Sequence, residues 1–186
     1  MAPFLIVLAV VAVIAIAIAL SYNRFVRQRN LVQESWRQID VELKRRHDLI
    51  PNLVETVQGY ATHEREVFDA VTKARAAAAA PGASPAVQAA QEGVLGQALG
   101  RLFAVAEAYP DLKASTNFLE LQSQLTETED RIAAGRRFYN ANVRALNIRV
   151  ESVPSNLIAN AFGFHKEEYF EVQDEAIRSA PAVDFS

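Results

Sequence analysis

Apolar residues recur along the first half of the chain at steps of three, four or seven positions, which is the spacing of a heptad seam. The pattern predicts a long amphipathic helix from Tyr22 to Ala78. The two positions that the steps pass over, Arg46 and Glu64, are the charged positions of the seam. The apolar positions are Val32, Trp36, Ile39, Leu43, Ile50, Leu53, Val57, Tyr60, Val67, Val71, Ala74 and Ala78.

Pro51 lies inside this pattern and is the predicted hinge of the helix. Proline lacks an amide hydrogen and disfavours the α conformation of the residue before it, so local rules favour a turn here. The seam favours a kinked but continuous helix, because Ile50, Leu53 and Val57 keep their spacing and residues 48–52 contain no glycine. Both interpretations stay open on the sequence alone.

An apolar run of seventeen residues, from Phe4 to Leu20, precedes the seam. With the residues before Phe4, it has about the length that a helix needs to cross a hydrocarbon layer of roughly 30 Å. We therefore predict a transmembrane anchor over residues 1–21. A cleaved signal peptide is an alternative, because residues 17–19 offer a small-x-small pattern, and a core helix of a soluble protein is another.

The basic residues around this run predict its orientation. Arg24, Arg27 and Arg29 follow it, and no basic residue precedes it. By the positive-inside rule, the N-terminus lies outside and the rest of the chain lies in the cytoplasm.

Two further helices follow a break at residues 81–85, where two prolines and a glycine fall within five positions. The first is short, and its predicted core side carries Val87, Val94, Leu95, Ala98, Leu102 and Val105. The second opens near Leu112, reaches about Val150 and has a seam of Phe118, Leu121, Leu125, Thr128, Ile132, Gly135, Tyr139, Asn142 and Leu146. Short connections between long amphipathic helices predict an all-α fold, with an antiparallel up-and-down bundle over residues 22–153 behind the transmembrane helix.

Aromatic residues crowd the next segment, residues 154–172, which shows no clean helical period. Such a segment covers the bundle, a partner or the membrane surface. Its candidate interface residues are Phe162, Phe164, Tyr169 and Phe170. We expect an acidic, disordered tail over residues 173–186. The basic residues Arg136, Arg137, Arg144 and Arg149 form either a solvated face of the last helix or a contact for the tail of a neighbouring subunit.

Composition argues against several functional classes. A net charge of −3 and a pI near 5.7 give no basic field for nucleic acid. The absence of cysteine removes disulfides, thiolate zinc sites and cysteine nucleophiles. His63 and Glu64 begin a zinc-protease pattern, but Val67 stands where its second histidine belongs. We therefore assign no catalytic, metal or cofactor residue, although Glu64, Glu129 and Asp130 could converge as an unrecognised hydrolase site.

Three polar residues on the seams, Arg46, Glu64 and Asn142, are candidates for fixing helix register. A charge on a core face needs a partner, and Arg46 with Glu64 is the predicted pair. The alternative is a groove in which Arg45, Arg46 and His47 face an acidic partner.

Several stretches together resemble one family, the LemA family of bacterial membrane-anchored proteins. They are Tyr22-Asn23 with Arg29-Asn30, Trp36, Ile39, the run LKRRHDLIPNLVETVQGYATHE from Leu43 to Glu64, residues 109–113, Asn117-Phe118, Leu121-Gln122, residues 126–132, Tyr139-Asn140, residues 154–159 and Phe162-Gly163-Phe164. Asp130 and Gly135 depart from the usual Asn and Ala of the family. The resemblance implies a four-helix antiparallel bundle behind one span of the bacterial inner membrane, and it brings no established enzymatic activity.

Two functional classes follow. The first is a membrane-anchored scaffold without catalysis that forms a homo-oligomer or recruits a protein partner at the cytoplasmic face. The second is a signalling accessory that couples an envelope event to a cytoplasmic partner through its stiff first helix. An enzyme, as a third class, would need a polar pocket that the seams do not predict.

Overall fold

The computed structural model describes residues 1–171, and within them it contains α-helices and no strand. The predicted all-α class is confirmed. The helices are α1 (Ala2–Gln58), α2 (Arg65–Ala78), α3 (Pro85–Glu107), α4 (Pro110–Lys113), α5 (Thr116–Glu151) and α6 (Ser155–Phe162). The predicted disordered tail over residues 173–186 lies outside the described residues.

The first helix, α1, contains both the apolar anchor and the first part of the seam. Pro51 lies inside it, so the chain stays helical on both sides of the proline. Among residues 1–171, α1 is the helix long and apolar enough to cross a membrane, and its most apolar window is exposed.

The prediction that this helix reaches Ala78 is wrong, because α1 ends at Gln58. Glycine has low helix propensity, and the chain turns after Gly59. There, the amides of Tyr60 and Ala61 both donate to the carbonyl of Val57, at 3.0 and 2.9 Å. The seam did not reveal this turn, because Ala61 takes the buried place predicted for Tyr60, which is 44% exposed.

The predicted last helix is also divided, since residues 110–113 form the short helix α4 and α5 begins at Thr116. The segment without a predicted helical period contains α6. The chain leaves α6 through Gly163, whose φ of 70° is in the left-handed region that glycine adopts readily. The Phe164 amide then donates to the Ala159 carbonyl at 2.9 Å.

The core side of α3 is rotated relative to the prediction. Val87 and Val94, predicted to be internal, are 50% and 59% exposed. Gln88 and Glu92 are buried instead. Polar partners for these two side chains lie inside the protein, and that is why the more polar residues face inward.

The chain divides into two compact units. The first comprises Met1–Gln38 and Arg137–Tyr169, and the second comprises Ile39–Arg136 with the described residues from Phe170 onward. The buried apolar residues of the first unit are Phe25, Val32, Tyr139, Val143, Leu146, Ala159 and Phe164. The core of the second unit includes Ile50, Leu53, Val57, Val71, Leu95, Leu102, Leu112 and Phe118.

Candidate functional site

A buried ionic cluster lies in the second unit and is centred on Arg46. Its Nη1 donates to Oε2 of Glu92 on α3 at 3.2 Å, and it lies 3.2 Å from Oε2 of Glu129 on α5. Arg46 is 7% exposed and Glu92 is 3% exposed. One guanidinium group therefore links three helices.

The carboxylate of Glu92 is the shared hydrogen-bond acceptor of the cluster. Its Oε1 lies 2.8 Å from His47 Nε2 and accepts a hydrogen bond of 2.9 Å from Gln88 Nε2. Because an ionised carboxylate can only accept, His47 carries a proton on Nε2 in this arrangement. Gln88 also donates to the carbonyl of Ala78 at 2.8 Å, which ties the end of α2 to α3.

Arg75 of α2 extends the cluster to the backbone of α1. Its Nε donates to the carbonyl of His47 at 2.6 Å. In a regular helix this carbonyl would accept from the amide four residues later, but that residue is Pro51, which has no amide hydrogen. A side chain from α2 therefore takes the place of the missing backbone donor.

The predicted pairing of Arg46 with Glu64 is wrong. Glu64 lies at the N-cap position of α2, after the turn that ends α1, and makes no side-chain capping hydrogen bond. Arg46 instead pairs with Glu92 and Glu129. Glu92 was missed, although it is the only charged residue between Ser84 and Arg101, and a lone charge on an apolar helix is a signal of a buried pair.

The alternative groove of Arg45, Arg46 and His47 does not open to a partner. Arg46 and His47 are buried against Glu92 of the same chain, while Arg45 is exposed. Within residues 1–171, no group of three or more histidine and acidic side chains could hold a metal ion. The donors and acceptors of the cluster are thus matched inside the unit, and its role in fixing helix register remains a prediction.

The third predicted register residue, Asn142, lies in the first unit. Its Nδ2 is 3.4 Å from Oγ of Ser35, and Ser35 in turn donates to the carbonyls of Leu31 and Val32 at 2.7 and 2.9 Å. Arg46 and Glu64 belong to the second unit. The role of Asn142 in register remains a prediction.

The aromatic segment packs partly on α1 within the first unit. Phe164 stacks on Phe25 with a centroid distance of 4.8 Å, and Tyr22 meets the edges of Phe162 and Phe164 at 5.0 and 5.6 Å. Phe164 and Phe170 are buried, so they are not available as the interface residues that we predicted. Phe162 and Tyr169 are 53% and 37% exposed and remain candidates.

Two residues of α5 hold the chain beyond this aromatic contact. The side-chain amide of Asn147 donates to the Glu167 carbonyl and accepts from the Glu167 amide, both at 2.9 Å. The Tyr139 hydroxyl donates to the Glu168 carbonyl at 2.8 Å. Burial, together with the carboxylates of Glu167 and Glu168, raises the pKa of Tyr139 to about 12.

Comparisons with known proteins identify the family of this chain. A model described as the LemA family matches residues 35–185. The chain is 31% identical to the magnetosome protein MamQ 2 of Paramagnetospirillum magneticum strain AMB-1, over 89% of this chain and 70% of that protein. It is 28% identical to MamQ of Magnetospirillum gryphiswaldense strain MSR-1, over 88% of this chain and 69% of that protein.

A further relative shows a lower identity. The chain is 26% identical to protein LemA of Metamycoplasma hominis, over 82% of this chain and 69% of that protein. The family match covers most of the chain, including the run from Leu43 to Glu64 that carries Arg46 and Pro51. The chain belongs to the LemA family.

Proposed function

We propose that this protein is a non-catalytic helical scaffold that is anchored in the bacterial inner membrane and self-associates at its cytoplasmic face. Membrane association is supported by the apolar first part of α1, and relatives of the chain are named as proteins of the magnetosome. The proposal goes further than these findings in three respects: the absence of catalysis, the face of the membrane and the homo-oligomer.

The observation that carries self-association is the outward face of α3. From Pro85 to Gly100 its exposed residues include no charged side chain, and they are Ala86, Val87, Ala90, Val94, Gln97 and Gly100. A helix face that is exposed in the single chain but carries no charge is suited to packing against another protein surface. A second subunit would bury this face, and anchoring in one membrane would raise the local concentration of subunits.

The experiment measures particle mass for the full-length chain in mild detergent at micromolar concentration. We expect an oligomer, and we expect the double substitution Val87→Glu/Val94→Glu to dissociate it, because carboxylates on this face would be desolvated in the interface. Val41→Glu is the matched control, since Val41 is 65% exposed on α1 of the same unit. A wild-type monomer would contradict the scaffold. Dissociation by Val41→Glu, without dissociation by Val87→Glu/Val94→Glu, would show that the interface lies elsewhere.

The signalling accessory is a second candidate, and the continuity of α1 favours it. One helix runs from Ala2 to Gln58, so no flexible linker separates the apolar anchor from the residues of the ionic cluster. A partner that binds only after an envelope stimulus would support this function. Constitutive self-association would support the scaffold.

A further inference from the structure

A cleft of about 1260 Å³ lies in the first unit, where the end of the apolar run meets α5 and α6. One end of its lining, around Ile14 and Ile18 of α1, is apolar, and Leu157 and Phe162 of α6 also line the cleft. Leu157 and Phe162 are 67% and 53% exposed, so this apolar surface is not buried by the chain itself.

The other end of the cleft is cationic. Arg24 and Arg27 of α1 and Arg149 of α5 line it. Among residues 1–171, none of these three guanidinium groups has a carboxylate within the 4 Å of an ion pair. The centroid of the Phe25 ring lies 5.7 Å from the Arg149 guanidinium carbon.

Arg149 has two further properties of a group that lacks its anion. Its Nε is buried and has no hydrogen-bond partner among the described residues. Burial and the positive charge of Arg24 lower the pKa of Arg149. An anion bound in the cleft would offset the repulsion between these two arginines.

The depth of the cleft identifies the source of such an anion. Ile14 and Ile18 belong to the apolar run, whereas Arg24 lies four residues beyond Leu20, or about 6 Å along the helix. If α1 spans a bilayer, the apolar end of the cleft lies at acyl-chain depth and the arginines lie at headgroup depth. Only a lipid presents an anion and an acyl chain at these two levels together.

We propose that this cleft binds an anionic glycerophospholipid, with the phosphate on Arg24, Arg27 and Arg149 and an acyl chain along Ile18, Leu157 and Phe162. The exposed apolar side of α6 then contacts the surface of the same membrane. This inference rests on the membrane placement of α1 and does not depend on self-association. A monomer that retains the lipid would therefore contradict the scaffold and leave the lipid site intact.

The test uses the full-length chain, reconstituted into bilayer nanodiscs of equal phosphatidylglycerol and phosphatidylcholine and then analysed by native mass spectrometry for retained lipid. We expect phosphatidylglycerol to be retained preferentially. Each arginine near a membrane surface contributes about fivefold to anionic lipid binding, so the two substitutions in Arg24→Gln/Arg149→Gln should together lower the preference by about 25-fold.

The matched control is Arg29→Gln/Arg144→Gln, which removes the same charge from the same two helices outside the cleft lining. We expect this control to keep most of the preference. An equal loss in both double variants would show a general surface attraction and overturn the cleft. Equal retention of the two lipids by the wild-type chain would overturn it as well.

A second variant provides a test of the cleft if Arg24→Gln/Arg149→Gln does not fold. Arg27 is exposed and lines the cleft, so Arg27→Gln should reduce the preference without disturbing the packing of the unit. Glycerol phosphate, added in millimolar excess, should not displace the lipid, because it lacks the acyl chain. Displacement by glycerol phosphate would mean that the site recognises a free phosphate and would contradict the lipid assignment.

Discussion

At the scale of single residues, the central feature is a buried arginine whose charge is matched by Glu92. We expect Arg46→Met to lower the free energy of unfolding by about 3 to 5 kcal/mol, because it leaves the buried carboxylate without its guanidinium partner. The double variant Arg46→Met/Glu92→Gln should recover part of this loss, since no buried carboxylate is then left without its guanidinium partner. Urea unfolding followed by circular dichroism at 222 nm measures these differences in the full chain in detergent.

Arg45→Met is the control for this substitution. Arg45 is the exposed neighbour of Arg46 on the same helix, and its replacement should change stability by no more than about 0.5 kcal/mol. Equal effects of the Arg45 and Arg46 substitutions would contradict the register role of the cluster.

A second residue-scale prediction concerns the alkaline titration of Tyr139. The folded-state pKa is raised to about 12, so the neutral phenol is favoured in the folded protein. Its contribution to stability is complete below the ordinary tyrosine pKa of about 10 and is lost as the pH rises through the folded value. Absorbance at 295 nm should show one of the five tyrosines titrating late, and Tyr139→Phe should remove that phase. A late phase that persists in Tyr139→Phe would contradict this assignment.

The sequence predicted the burial of Arg46 but not its partner. Burial follows from heptad spacing, which is local information. The choice of Glu92 over Glu64 depends on where α1 ends and on which side of α3 faces it, and both are tertiary facts. The same limitation explains why the prediction that Val87 and Val94 are buried is wrong. Both are apolar enough for the core, but α3 buries Gln88 and Glu92 instead.

At the scale of helices, α1 passes through Pro51 because Arg75 supplies a donor to the His47 carbonyl. In the wild-type background we expect Arg75→Met to cost about 1.5 to 3 kcal/mol, the range for a hydrogen bond to a charged group. In Pro51→Ala the new amide can donate to the same carbonyl, so Arg75→Met should cost less than half as much. Pro51→Ala alone should preserve the fold.

This coupling is measured as a double-mutant cycle, again by urea unfolding. An equal cost of Arg75→Met in both backgrounds would show that Arg75 does not replace the missing amide. Neither the seam nor the local rules for proline predicted this contact. The rules show that the His47 carbonyl lacks its usual backbone donor. They do not show that the replacement donor comes from a residue 28 positions away.

The end of α1 shows how far periodicity extends at this scale. The apolar spacing of the seam continues almost unchanged through residues 59–64. A short turn can move the buried position by one residue without disrupting this spacing. Gly59 is the local sequence signal for the break, but the apolar spacing continues across it. The predicted helices therefore belong to the right class. The end of α1 and the start of α5 were not predicted, because they depend on tertiary contacts.

At the scale of the whole molecule, the apolar run is either a retained anchor or a cleaved signal. The structure adds an argument for retention, because Ile14, Ala17 and Ile18 line the cleft with α6 and would be lost on cleavage after residue 19. Their removal would take away the α1 residues that form one wall of this cleft. We therefore expect the intact mass of the mature protein to include residues 1–19, and a mass lacking them would identify a signal peptide.

The orientation of the anchor is the remaining prediction at this scale. Arg24, Arg27 and Arg29 follow the apolar run, so the chain from Ser21 onward should lie in the cytoplasm. Paired reporters fused after Asn30 and after Ser186, one active in the cytoplasm and one in the periplasm, should both report cytoplasm. Replacing the three arginines with glutamine and adding three lysines before Phe4 should reverse or mix the orientation, since the charge bias is then inverted. Periplasmic activity at either fusion of the wild-type chain would contradict the cytoplasmic scaffold, whereas the lipid cleft would still face the headgroups of the opposite leaflet.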